Sequence, residues 1–226
     1  MNAERHPLRL GAVLIPCLLV LGCAGTGGSA STGVQTVAVS PQGQYATIEV
    51  DDANRMVERL SAADPAAVER VLAAPERYNP AVLYALSAAL FEQDRKREAA
   101  FWFYSGQLKA RSDANKALDD SAHQAVSVLN ERYGRPINTW AFQDRSLLRT
   151  IVERVVEADR STARDYDPRW IAAHGLDAFT EDAIRFVDEA AWSDIDETTR
   201  SDYLANFNRA MDAMDARDEA AGSQEQ

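Results

Sequence analysis

The chain has 226 residues, 46% of them hydrophobic, and its 35 acidic and 24 basic side chains give a net charge of −11. An acidic body is repelled by phosphate, which sets nucleic acid aside as a partner and argues against direct adhesion to anionic headgroups. Both cysteines, Cys17 and Cys23, fall near the N-terminus, so the remainder must be stabilised by burial, for which about 190 residues are enough.

Arg5 and Arg9 lead into the apolar run Leu10 to Leu21, which contains Pro16. That run is about a dozen residues long, and a bilayer span needs about 20, so it reads as the hydrophobic part of a secretion signal. Val20-Leu21-Gly22-Cys23 resembles the lipobox of bacterial lipoproteins, departing from it in Val20 where Leu is usual and in Leu21 where a small residue is usual. The resemblance implies cleavage before Cys23, a diacylglyceryl group on its sulfur and a third acyl chain on its amine. Ala24 rather than Asp in second place implies the outer membrane, with the body on the periplasmic side. Cleavage after Ala24 or Ala30, each ending a small-x-small triplet, is the alternative and would release a soluble periplasmic protein. Removing residues 1–22 takes away Arg5, Arg9 and Glu4 and moves the net charge from −11 to −12. With Cys17 lost and Cys23 acylated, the mature protein would hold no disulfide in an oxidising compartment.

Ala24 to Gly33 is built from Gly, Ser, Thr and Ala, and the loose composition continues through Ser40-Pro41-Gln42-Gly43-Gln44. This reads as a flexible tether ending at Gln44, contributing nothing to the fold and spanning on the order of 25 Å. Tyr45 to Val50 alternates as a short strand or an extended lead-in to the first helix would. A single all-α domain over 45–226 follows, as a helical bundle or a short tetratricopeptide-like stack.

Its helices are punctuated by caps. Asp52 caps a helix to about Leu60; Asp64-Pro65 and Asn79-Pro80 each pair an N-cap with proline at the first helical position. The second of these helices reaches about Phe91, and the next runs from about Glu98 to Ala110 beyond the polar turn Asp94-Arg95-Lys96. Asp113 or Asn115 opens another that ends near Tyr133, where Gly134 and Pro136 terminate it and Tyr133–Trp140 forms a polar loop. Further helices are expected over Asp144–Ala158, Pro168–Ala173, Thr180–Ala191 and Asp196–Arg217.

Within Pro80 to Asp113, Leu83, Leu86, Ser87, Leu90, Ala99, Phe103 and Gly106 follow the large and small spacing of one tetratricopeptide unit, which this stretch resembles. The closing proline would fall at Arg111, and no second copy is in register. Small residues at these places let antiparallel helices approach closely. Phe101-Trp102-Phe103-Tyr104 cannot share one helix face, so this helix is expected at the centre of the body.

The candidate binding residues are aromatic: Trp102 and Tyr104 in that helix, and Tyr166 and Trp170 in the polar segment Arg164-Asp165-Tyr166-Asp167-Pro168-Arg169-Trp170. The plainer reading of that segment has Asp167 capping, Arg164 or Arg169 paired with a carboxylate, and Trp170 packed inward. His174-Gly175 then ends a helix with a favourable cation and a left-handed cap. Arg95-Lys96-Arg97 reads as a solvated turn, and Lys109 and Arg111 as cations complementing a helix C-terminus.

No catalytic residue is nominated: there is no Gly-x-Ser-x-Gly and no free cysteine for a nucleophile. No metal or cofactor is implied, since the mature histidines are only His123 and His174, and Asp165-x-Asp167 and Asp194-x-Asp196-Glu197 lack the glycine of a calcium loop and read as capping pairs. Two function classes remain. The leading one is a noncatalytic envelope lipoprotein whose helical body binds an envelope protein partner; the alternative is a peptidoglycan-acting enzyme using paired carboxylates, whose separation the sequence does not contain. Partner identity and oligomeric state are left open.

Overall fold

The computed structural model describes residues 40–224, with side chains to residue 221. The lipobox, Cys23 and most of the tether lie outside the described residues. No helix among the described residues is long and apolar enough to cross a membrane. The domain is all α: α1 Asp51–Ser61, α2 Pro65–Ala73, α3 Pro80–Glu92, α4 Lys96–Ala114, α5 Gln124–Ala141, α6 Arg145–Ser161, the short α7 Asp177–Thr180 and α8 Trp192–Gln224.

Asp52 does not cap α1: the helix starts one residue before it, its N-cap is Val50 without a side-chain bond, and Asp52 lies in the first turn. The other caps close on their helices. Asp64 accepts from the Ala66 and Ala67 amides, Asn79 from Val82 and Asp144 from Leu147, satisfying amide groups that the first turn leaves unpaired. Asp167 likewise accepts from Arg169 N, opening a 3-10 turn over Pro168–His174.

Helices α3 and α4 form a close antiparallel hairpin that turns at Asp94, whose φ is 61°. The fit depends on Gly106: a Cβ there would stand 3.1 Å from Tyr84 and 3.4 Å from both Leu83 Cβ and the Pro80 carbonyl. Helix α4 occupies the centre of the body and packs against α3, α5, α6 and α8. Phe103 is fully buried, meeting Tyr84 edge to face at 5.3 Å.

Several boundaries differ from the sequence reading. α4 continues to Ala114, and α5 begins only at Gln124 after a 3-10 turn over Asp120–His123. Gly134 and Pro136 do not end α5, which runs through both to Ala141. Pro136 and Arg132 are both exposed, so the helical bond that Pro136 cannot donate to the Arg132 carbonyl is lost on the outer side of the helix. Gly134 faces Phe103 instead, where a Cβ would lie 3.0 Å from the ring. The expected helix over Thr180–Ala191 is mostly irregular, and α8 starts earlier and ends later than expected. Gly175 has φ −86° and no left-handed role; a Cβ on it would collide with Asp119.

The tether reading is corrected at its end. Gln42 to Thr47 is neither strand nor free chain: Gly43–Thr47 is a 3-10 turn docked on the segment around Asp182. Tyr45 is 3% exposed, forming a satellite core with Ala172 and Ala178 under Ile48, Ile184 and Phe186.

Candidate functional site

The polar centre of the molecule begins with Asp113, the penultimate residue of α4 and completely buried. An unpaired carboxylate there would be costly, and the chain surrounds it with donors. Trp170 Nε1 donates to Asp113 Oδ2 at 2.8 Å and the Tyr166 hydroxyl to the same oxygen at 3.0 Å. Oδ1 faces Arg164 Nη1 at 3.5 Å and Lys116 Nζ at 3.7 Å. Burial nevertheless dominates and pushes the Asp113 carboxyl up to about 6, with Arg164, Lys116, Trp170 and Tyr166 opposing it.

A second carboxylate, Asp159 near the end of α6, is 4% exposed. Lys109 Nζ approaches it at 2.7 Å, Arg164 Nη2 at 2.8 Å and Arg200 Nε at 2.9 Å. Burial alone would raise its pKa, but the Arg164 and Lys109 charges outweigh burial and hold the carboxyl well below the usual range. Burial pulls Lys109 downward, with Asp159 opposing.

The third carboxylate is Asp196, in the first turns of α8. It takes Lys116 Nζ at 2.7 Å, Arg164 Nη1 at 2.8 Å and the Ser112 hydroxyl. Asp196 is thus no capping residue, and Lys109 is no solvated helix-end cation; both belong to this network. Arg164 is its hub, one guanidinium touching all three carboxylates, which joins α4, α6, α8 and the Thr162–Asp167 connection.

Over this network lies a cleft of about 890 Å³. Its floor is Lys116, Asp159, Arg164, Asp196 and Arg200; Thr162, Ala163 and Tyr166 to Arg169 form one side, and Ile184, Phe186, Val187 and Glu189 with Trp192 and Gln44 form the other. The far wall is pinned to the body by Leu118 N–H donating to Arg185 O at 3.0 Å and Val187 N–H donating to Lys116 O at 2.8 Å. Lys116 Nζ also stands 5.6 Å from the Trp192 ring centroid, a cation-π contact.

The four aromatic candidates do not form one surface. Tyr166 and Trp170 converge on Asp113, Tyr166 lining the cleft and Trp170 buried beneath it. Trp102 lies eleven residues earlier on α4, about 16 Å away along the helix axis, half-buried and edge to face with Phe101. Tyr104 is buried, its hydroxyl donating to Asn138 at 2.8 Å, and this leaves it no face for a ligand. His174 packs against Trp170 and burial lowers its pKa, so it is neutral near pH 7 instead of a cation at a helix end. Arg95 pairs with Glu98 and Glu69, and Lys96 with Asp94.

Sequence reasoning did not single out Asp113, Asp159 or Arg200 for this centre. The available signal was charge at inward-facing helix positions: Asp113 and Lys109 sit four apart among the buried small residues Ser105, Ala110, Ser112 and Ala114 of α4, and Asp159 follows the buried Val152, Val155 and Val156 of α6.

No group of metal-ligating side chains occurs among the described residues. Comparison with models of protein families, with curated proteins and with solved structures finds no match to this chain.

Proposed function

We propose that the protein is a noncatalytic envelope lipoprotein, held through Cys23 at the periplasmic side of the outer membrane, whose helical body binds a segment of an envelope protein in the cleft between Thr162–Arg169 and Ile184–Trp192. The observation that carries this reading is the state of the cleft floor. Its carboxylates are fixed by ion pairs, and the carboxyl with the most acid-base character, Asp113, is sealed beneath them. General acid-base chemistry needs a carboxyl within reach of the reacting proton. A rigid polar floor under an open cleft instead supports recognition without reorganisation.

A photoreactive side chain at Thr162, within the cleft, and another at Glu58, on α1, test this in intact cells. A defined protein adduct from Thr162 and none from Glu58 is expected; equal labelling from both positions overturns the assignment of the cleft. The peptidoglycan-acting alternative rests on Asp113 and Asp196 sharing Arg164 and Lys116. Release of muropeptides by the purified protein, abolished in Asp196→Asn, would replace the binding reading with that one.

A further inference from the structure

The far wall of the cleft is irregular between α7 and the turn leading into α8, and the N-terminal segment is bound across it. Gln42 N–H donates to Ala178 O at 3.1 Å and its side-chain amide to Phe179 O at 3.2 Å. Gln44 N–H donates to Asp182 O at 2.7 Å, while the Gln44 side-chain oxygen accepts the Ile184 amide at 3.0 Å. Between them Gly43 has φ 55° and lies so close to the Asp182 backbone that a Cβ would collide with it. Tyr45 anchors the C-terminal side of this contact in the satellite core. Gln44 and Ile184 both line the cleft.

We propose that residues 42–48 are a strap that fastens the outer half of the cleft wall, so that the width of the cleft is set from the N-terminus. The two halves of the wall are held differently. Val187 is tied to Lys116, just after α4. Arg185 is held by Leu118 and also meets the Tyr45 side chain of the strap, and Ala178 to Ile184 are tied to the strap. The strap has few hydrogen bonds and a core of three buried residues, and such small units open at lower free energy than the body they rest on. The strap does not depend on what occupies the cleft.

Hydrogen exchange of the full chain, compared with Gly43→Val and Gln44→Ala, tests the device. Gly43→Val cannot keep both the backbone conformation and the close approach, and Gln44→Ala deletes the acceptor of the Ile184 amide without touching the backbone. The Ile184 amide is expected to exchange at least tenfold faster in both variants, with Val187, Leu118 and the α3–α4 hairpin unchanged. Spin labels at Thr162→Cys and Glu181→Cys, introduced into Gly43→Val, should report a longer and broader separation than in the otherwise unaltered chain. Unchanged Ile184 exchange in both variants overturns the strap. Acceleration spread evenly through Val187 and the hairpin also overturns it, because the segment would then be part of the global fold.

Discussion

Trp170 and the fully buried Asp113 are joined by an indole N–H that donates to the carboxylate at 2.8 Å. One hydrogen bond therefore ties the 3-10 turn after α6 to the central helix α4, at the point where the molecule buries most of its charge. Removing the indole leaves Asp113 Oδ2 with the Tyr166 hydroxyl. Trp170→Phe should lower the urea midpoint by an amount equivalent to about 1–3 kcal/mol, the cost of a lost bond to a buried charged group.

Asp113 gives the protein an unusual acid limb. Its folded pKa, about 6, is above the model-peptide value of 3.8, so the folded state binds this proton more tightly and is stabilised as pH falls from about 7 to 4. His174 acts in the opposite direction: its folded pKa is depressed, so it contributes stability above its unfolded value and loses it as pH falls. In Asp113→Asn the opposing contribution of Asp113 is gone, and the groups that lose stability on acidification, His174 and the depressed Glu98 and Glu197, remain. Urea midpoints at pH 7.5 and 5 should show a steeper acid loss in the variant than in the unaltered chain.

Asp159 is the reverse case. A depressed carboxyl contributes stability that is present above about pH 4 and lost as pH falls through its folded pKa. Asp159→Asn should leave the buried Lys109 without its carboxylate, while Arg164 keeps Asp113 and Asp196 and Arg200 keeps Glu197, costing about 3–5 kcal/mol. Urea unfolding at pH 7 measures it. A variant as stable as the unaltered chain would mean that Lys109 finds another partner.

Phe103 and Trp102 are neighbours in sequence with different surroundings. Phe103 is enclosed by Tyr84, Tyr104 and the bare α-carbon of Gly134, and Phe103→Ala should cost about 3–5 kcal/mol. Trp102 is half-buried, and Trp102→Ala should cost less. Thermal melts of both variants check the order.

Attachment through Cys23 is tested by metabolic labelling with a clickable fatty acid. Label is expected in the unaltered protein and absent from Cys23→Ser; equal labelling of both would remove the lipid anchor.

The all-α class, the caps at Asp64, Asn79, Asp144 and Asp167, the α3–α4 hairpin and the burial of Phe103 follow from residue spacing alone, because capping and helix periodicity act over a few residues. The sequence by itself also supplies the lipobox resemblance. What only the tertiary structure decides is where those local rules meet long-range packing. Gly134 and Pro136 signal a helix end, yet α5 passes through them because one fits under Phe103 and the other faces water. Gln42 to Gln44 have the composition of a linker, and become a strap because backbone groups around Asp182 are placed to receive them. Asp113, Asp159 and Asp196 come from α4, α6 and α8, and meet at Arg164 only when those helices are packed. A charged residue's partner is set by distance in space, and for Asp113 and Asp196, 51 and 32 residues from Arg164, that distance belongs to the fold.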